Sequence, residues 1–170
     1  DGGWNCESPK GATHSSFHTT ISALEGLYEY ECAFPETKKR ISQFRSRGHE
    51  FLLAHRLYKS HRTGKIFDPK MTTMPFPPRW KYDFIRALDY FRACDAPRDE
   101  RMSDAIELLQ KKQKADGRWL MNSGMSGRKY FDLEQAGQPS RWNTLRALRV
   151  LGWWDSQGEK MPQKTEPTHS

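Results

Sequence analysis

The chain is poor in cysteine, contains no long apolar run and shows no alternating pattern, and each absence removes a class of answer. Its three cysteines, Cys6, Cys32 and Cys94, are too few and too widely spaced for a disulfide framework. They point to a reducing, cytoplasmic compartment, with peripheral attachment at a membrane as the variant. No run of about 18 apolar residues occurs, so no transmembrane helix is expected. No signal peptide is visible. No segment alternates apolar and polar residues convincingly, so essentially no sheet is expected. No motif that reads DNA or RNA occurs, so no specific nucleic-acid partner is expected.

What the chain does have is bulk. Only 35% of its 170 residues are hydrophobic and the mean hydropathy is −0.93, yet 12% are aromatic, six of them Trp. Disordered chains are poor in aromatics. A folded domain with large aromatic anchors and a charged exterior follows. The net charge is +7 and the pI about 9.4. Lys and Arg are spread along the chain, which reads as a basic solvated surface; an anionic partner is the sharper alternative.

Five segments carry helical spacing. Phe17, Ile21, Leu24 and Tyr28 share one face, as do Ile41, Phe44, Gly48, Phe51, Leu52 and His55. A third face holds Trp80, Phe84, Ala87, Leu88 and Phe91, after Pro75-Phe76-Pro77-Pro78, which cannot be helix interior. The fourth holds Met102, Ala105, Ile106 and Leu109. The fifth holds Trp142, Leu145, Leu148 and Leu151, with Ser140 as its N-cap. Residues 122–138, with Gly124, Gly127 and Gly137, read as a long loop. Residues 155–170 read as a polar, disordered tail after a single domain over 1–154.

Three segments repeat. Ala23-Leu24, Ala87-Leu88 and Ala147-Leu148 coincide when segments beginning at Ser16, Trp80 and Ser140 are superposed, and Thr20 coincides with Thr144. A glycine turn followed by an aromatic precedes each: Gly2-Gly3-Trp4, Gly64-Lys65-Ile66-Phe67 and Gly117-Arg118-Trp119. Asp1 and Asp116 precede the first and third. A unit of about 50 to 65 residues therefore recurs, as in stacked helical hairpins. In such a turn Gly supplies φ > 0, and the Trp folds back on the preceding helix with its indole N–H seeking a carbonyl. Gly3, Trp4, Asp116, Gly117 and Trp119 are read as structural turn residues.

Gln110-Lys-Lys-Gln113-Lys-Ala-Asp116-Gly117-Arg118-Trp119 resembles the QW motif of the squalene cyclase and protein prenyltransferase superfamily, as does Asp1-Gly-Gly-Trp4. The segment Ser15 to Leu27 resembles an inner helix of that family's α/α toroid. The resemblance covers residues 1–154. It implies an all-α fold, a partial α/α toroid or crescent of stacked hairpins, and an isoprenoid or other apolar ligand near the N-terminal ends of the inner helices. The chain starts inside the motif and supplies at most about two and a half hairpins. The expectation is the C-terminal part of a longer toroid, or a reduced open crescent whose apolar face invites a protein partner or homodimer.

The chemistry of the resembled family has no counterpart here. There is no DxDD acid motif; Asp95-Ala-Pro-Arg-Asp99-Glu100 reads as a turn and helix start. There is no Asp-x-Cys for a zinc site. Cys6, His18 and Cys32 cannot share one ion, because a helix from Ser16 to Glu31 is about 24 Å long. No metal or other cofactor is expected, and catalytic residues are not assigned. The ligand-binding candidates are His18 at a helix start, where the helix dipole favours the neutral imidazole; Asp83, one turn into the third helix; Trp80 and Trp142 at related starts, where they would line an apolar pocket; and Arg79 and Arg141, with Lys81, which would attract an anion. Each also has a plain structural role as its alternative. His55 reads as a satisfied core histidine and Cys94 as a small buried residue. Two functions follow: an isoprenoid-binding or isoprenoid-converting protein, or a non-catalytic helical-repeat interaction module.

Overall fold

The computed structural model describes residues 1–122, 128 and 130–159. Five helices carry the architecture: α1 (Phe17–Ala33), α2 (Lys38–Ala54), α3 (Phe84–Ala93), α4 (Ser103–Lys111) and α5 (Arg141–Glu159). The mainly helical expectation is met. The sheet is one two-residue antiparallel ladder, β1 (Trp119–Leu120) with β2 (Pro139–Ser140), pairing Trp119 with Ser140.

Helices α1 and α2 form an antiparallel hairpin across the short turn Pro35–Thr37. Ser16 caps α1 by accepting from the Thr19 N–H. Phe17 meets Phe51 at 5.1 Å between ring centroids. At mid-length Gly48 lets the helices approach: a Cβ there would lie 2.8 Å from Leu24 Cδ2 and 2.7 Å from Trp4 Cζ3. At the far end Arg45 of α2 pairs with Glu31 of α1.

Helix α3 is buried on every side, through Phe84, Ile85, Arg86, Ala87, Leu88, Tyr90 and Phe91. It starts later than its spacing suggests. Asp83 is its N-cap and accepts from the Arg86 N–H at 2.7 Å, so Asp83 does not lie one turn inside the helix. Trp80 belongs to the preceding turn and is 63% exposed. Arg79 there holds φ at 52°, a left-handed conformation incompatible with helix.

Helix α5 packs on α3. Ser140 caps it, its hydroxyl accepting from the Asn143 N–H at 2.9 Å. The buried face is Asn143, Arg146, Ala147, Val150, Trp153 and Trp154. The apolar stripe that the spacing assigns to the core faces outward instead: Trp142 is 42%, Leu145 47% and Leu148 54% exposed. The helix also runs five residues into the segment expected to be a disordered tail, ending at Glu159; residues 160–170 lie outside the described residues, as do Gly124 and Gly127 of the expected loop. A single apolar cluster extends from Phe17 to Trp154.

Candidate functional site

The two Gly-Trp turns share a glycine of positive φ two residues before the tryptophan and a threonine that accepts the tryptophan N–H, and differ in what their aspartates bind. Gly117 has φ 78°. Asp116 accepts from the Arg118 N–H at 3.1 Å, and Gln113 Nε2 donates to the Gly117 carbonyl at 3.1 Å. Trp119 is fully buried and its indole N–H donates to the Leu109 carbonyl of α4 at 2.7 Å. Its backbone N–H donates to Thr144 Oγ1 at 3.1 Å. At the first turn Asp1 accepts from the Ser15 N–H at 2.9 Å. The Trp4 N–H donates to Thr20 Oγ1 at 2.9 Å. Gly3 must be glycine, because a Cβ would lie 2.5 Å from that same Oγ1. One offset of 124 residues thus takes Ser16 to Ser140 and Thr20 to Thr144 as caps and as acceptors of a tryptophan N–H. The middle turn does not follow. Phe67 is 59% exposed and its N–H donates to the Tyr58 carbonyl, while Phe84 occupies the place of the threonine.

The six ligand-binding candidates do not converge. His18 Nδ1 accepts the Tyr82 backbone N–H at 2.7 Å, so the proton of the neutral ring is on Nε2. Its partner is thus a backbone N–H of the loop that leads into α3. Burial lowers its pKa, with Asp68 opposing and Arg86 and Lys81 adding to the effect. Trp80 packs edge-on against His18, centroids 5.2 Å apart. Trp142 stacks flat on Phe76 at 5.2 Å and an 8° tilt. The two tryptophans therefore rest on different neighbours and do not wall one pocket. Arg79, Lys81 and Arg141 are exposed.

Asp83 is the candidate with the most altered chemistry. It is fully buried, and burial pushes its carboxyl up to about 6, against the pull of Arg146 and Arg86. Its Oδ2, Asn143 Oδ1 and Arg146 Nη1 are buried without hydrogen-bond partners among the described residues. Arg146 Nε stands 3.7 Å from Asp89 Oδ2. The N-terminal ends of α3 and α5 therefore hold a buried polar seam. Asn143 ties it down by donating to the Met74 and Leu120 carbonyls at 2.8 and 3.2 Å.

Other polar networks were not legible in the sequence, because each joins residues far apart in the chain. Arg86 reaches Glu25 and Ser22 across α1 and α3. Tyr90 of α3 binds His49 Nε2 at 2.8 Å and receives Arg45 Nε at 3.2 Å. Burial holds His49 down at about 4. His55 Nδ1 donates to the Phe51 carbonyl at 2.8 Å, as a satisfied core histidine should, and its Nε2 meets His61 Nδ1 at 2.9 Å. Cys94 is half-buried with its thiol on the Phe91 carbonyl, and all three cysteines are free. Asp99 caps a short turn, accepting from the Arg101 N–H, and does not face a cavity in company with Asp95, which binds Gln157.

An open groove of about 350 Å³ lies against α1, lined by Trp4, Ser22, Ala23, Gly26, Leu27 and Phe44. No group of three or more His, Cys, Asp or Glu side chains is placed to hold a metal ion among the described residues. No described helix is long and apolar enough to cross a membrane. Set beside known proteins, the chain matches no family model, no curated protein and no solved structure.

Proposed function

We propose that this protein is a helical-repeat interaction module whose working surface is the outward face of α5. The observation that carries the reading is the exposure of Trp142, Leu145 and Leu148 on a helix whose opposite face is buried through Asn143, Arg146, Ala147, Val150, Trp153 and Trp154. Contiguous exposed apolar side chains mark interaction surfaces. The test is a photo-crosslinking residue at position 148, with position 107 on the exposed side of α4 as control. A discrete adduct from 148 alone is the expected result; equal, unspecific adducts from both positions overturn the reading.

The groove beside Trp4 favours a second reading, an isoprenoid or similar apolar chain bound by a cyclase-like or prenyltransferase-like repeat arranged as part of a toroid or crescent. The groove's volume lies near the lower end of ligand pockets, and its wall is the tryptophan of the first QW-like turn. A Cβ added at Gly26 meets nothing within 4 Å, so Gly26→Phe is the change chosen to obstruct the groove. Farnesyl and geranylgeranyl diphosphate should bind the native protein by calorimetry and not the variant. Absence of heat with both ligands counts against this reading.

A further inference from the structure

The 124-residue offset makes α1 and α5 equivalent position by position, and their burial is reversed. Ile21 and Leu24 are 0% exposed, whereas Leu145 and Leu148 are 47% and 54% exposed. In the first hairpin those positions are covered by α2. The cover has three contact points along its length: Phe51 against Phe17, Gly48 against Leu24, and Arg45 against Glu31. The corresponding positions on α5 are Arg141, Leu148 and Asp155, all exposed. So the last helix carries the apolar centre and the acidic end of a surface whose first copy holds an antiparallel helix. The end facing Phe51 has changed from Phe17 to Arg141, and beside the acidic end Tyr28, over whose ring Arg45 lies at 5.1 Å, has become Gly152.

We infer that the outward face of α5 is a docking site for one antiparallel amphipathic helix of a partner polypeptide, built on the plan of α2. This rests on the interaction-module reading above. The partner helix has a small residue against Leu148, since at Gly48 a Cβ would lie 2.8 Å from the equivalent leucine. Three residues before it stands a basic residue, which meets Asp155 as Arg45 meets Glu31. Three residues after it stands an acidic residue, in the place of Phe51, which meets Arg141. The two charges fix the direction of the helix, and the small residue fixes its register. A lipid surface or a second copy docking by its own exposed face would not need the small residue or the charge order.

The test adds two labelled synthetic peptides to the intact chain and follows anisotropy. One has the sequence of residues 38–54; the other carries Phe51→Glu. Both should bind, the second more tightly. Leu148→Asp in the protein should cost about tenfold or more, as loss of a central contact does, and Leu145→Asp should do the same with the circular dichroism spectrum unchanged. Asp155→Arg should weaken binding, and a peptide with Arg45→Glu should recover it. Binding that survives both leucine changes, or a charge reversal that is not recovered, overturns the inference, as does no binding by either peptide. If the peptides fail while the crosslinker at 148 still gives its adduct, the helix plan is wrong and the interaction surface stands; if both fail, both fall.

Discussion

Helices α1 and α5 are two copies of one design placed in opposite surroundings. Each begins at a capping serine and bonds a tryptophan N–H through a threonine one turn on. Yet α1 buries Ile21 and Leu24 and leaves Ser22 and Gly26 exposed, while α5 buries Arg146 and Val150 at the positions of Ser22 and Gly26. Local sequence therefore decides where these helices start and how they are pinned to the turn before them. Which face goes inside is decided by the neighbour: α2 covers one side of α1, and α3 covers the other side of α5.

The strongest way to break this comparison is a matched pair of truncations. Leu24→Ala removes a fully buried side chain and should cost about 2–5 kcal/mol. Leu148→Ala, at the equivalent exposed site, should stay within about 0.5 kcal/mol. Urea unfolding followed by tryptophan fluorescence measures both; equal losses would mean that the two helices are buried alike.

A second contrast sets the carboxylate cap of α3 against the serine caps of α1 and α5. The folded carboxyl of Asp83 sits at about 6, above its ordinary 3.8. A group raised in this way supports the fold most below 3.8 and loses that support as the pH rises through about 6. The loss amounts to at most about 3 kcal/mol. Asp83→Asn keeps a capping side chain and removes the titration, so the difference in melting temperature between the native protein and the variant should shift against the native protein across that window. A difference independent of pH would place Asp83 in an ordinary, solvated state.

The smallest effect sharpens the equivalence itself. Thr20→Val and Thr144→Val each delete the acceptor of a tryptophan N–H and should each cost about 1 kcal/mol. Matching losses in urea unfolding support one shared device at both turns. A loss at Thr144 alone would make the first turn a sequence echo without mechanical weight.

These contrasts also explain what was readable in advance. The Gly-Trp turn, the coincidence of Thr20 with Thr144 and the Ser140 cap are local, and spacing disclosed them, whereas the Ser16 cap and the bond from each tryptophan N–H to its threonine emerged only in the fold. Helix α3 misled because Trp80 and Phe84 stand four apart, as on a helix, while the left-handed Arg79 and the Asp83 cap keep the chain extended between them. Helix α5 misled for a different reason. Periodicity finds the apolar side of a helix but not the side that has a neighbour, and the buried side here carries Asn143 and Arg146, whose partners are carbonyls and a carboxylate from elsewhere in the chain. The scattered ligand candidates share that cause: a helix start is visible in sequence, whereas the meeting of several starts depends on packing.

The ladder between β1 and β2 has a consequence for how the chain can change over time. It is extended by Met121 N–H to the Gln138 carbonyl and Gly137 N–H to the Met121 carbonyl. This neck closes before the intervening residues begin, and lengthening a closed loop costs only slowly increasing entropy. Insertions ahead of Glu134, whose Oε1 accepts from the Arg141 N–H at 2.7 Å, would leave the seating of α4 against Trp119 and the start of α5 undisturbed. The neck, with the bonds of Asn122 to Met74 and of Glu134 to Arg141, thus turns the chain between Asn122 and Glu134 into a port where new sequence can be accepted without renegotiating the rest of the fold.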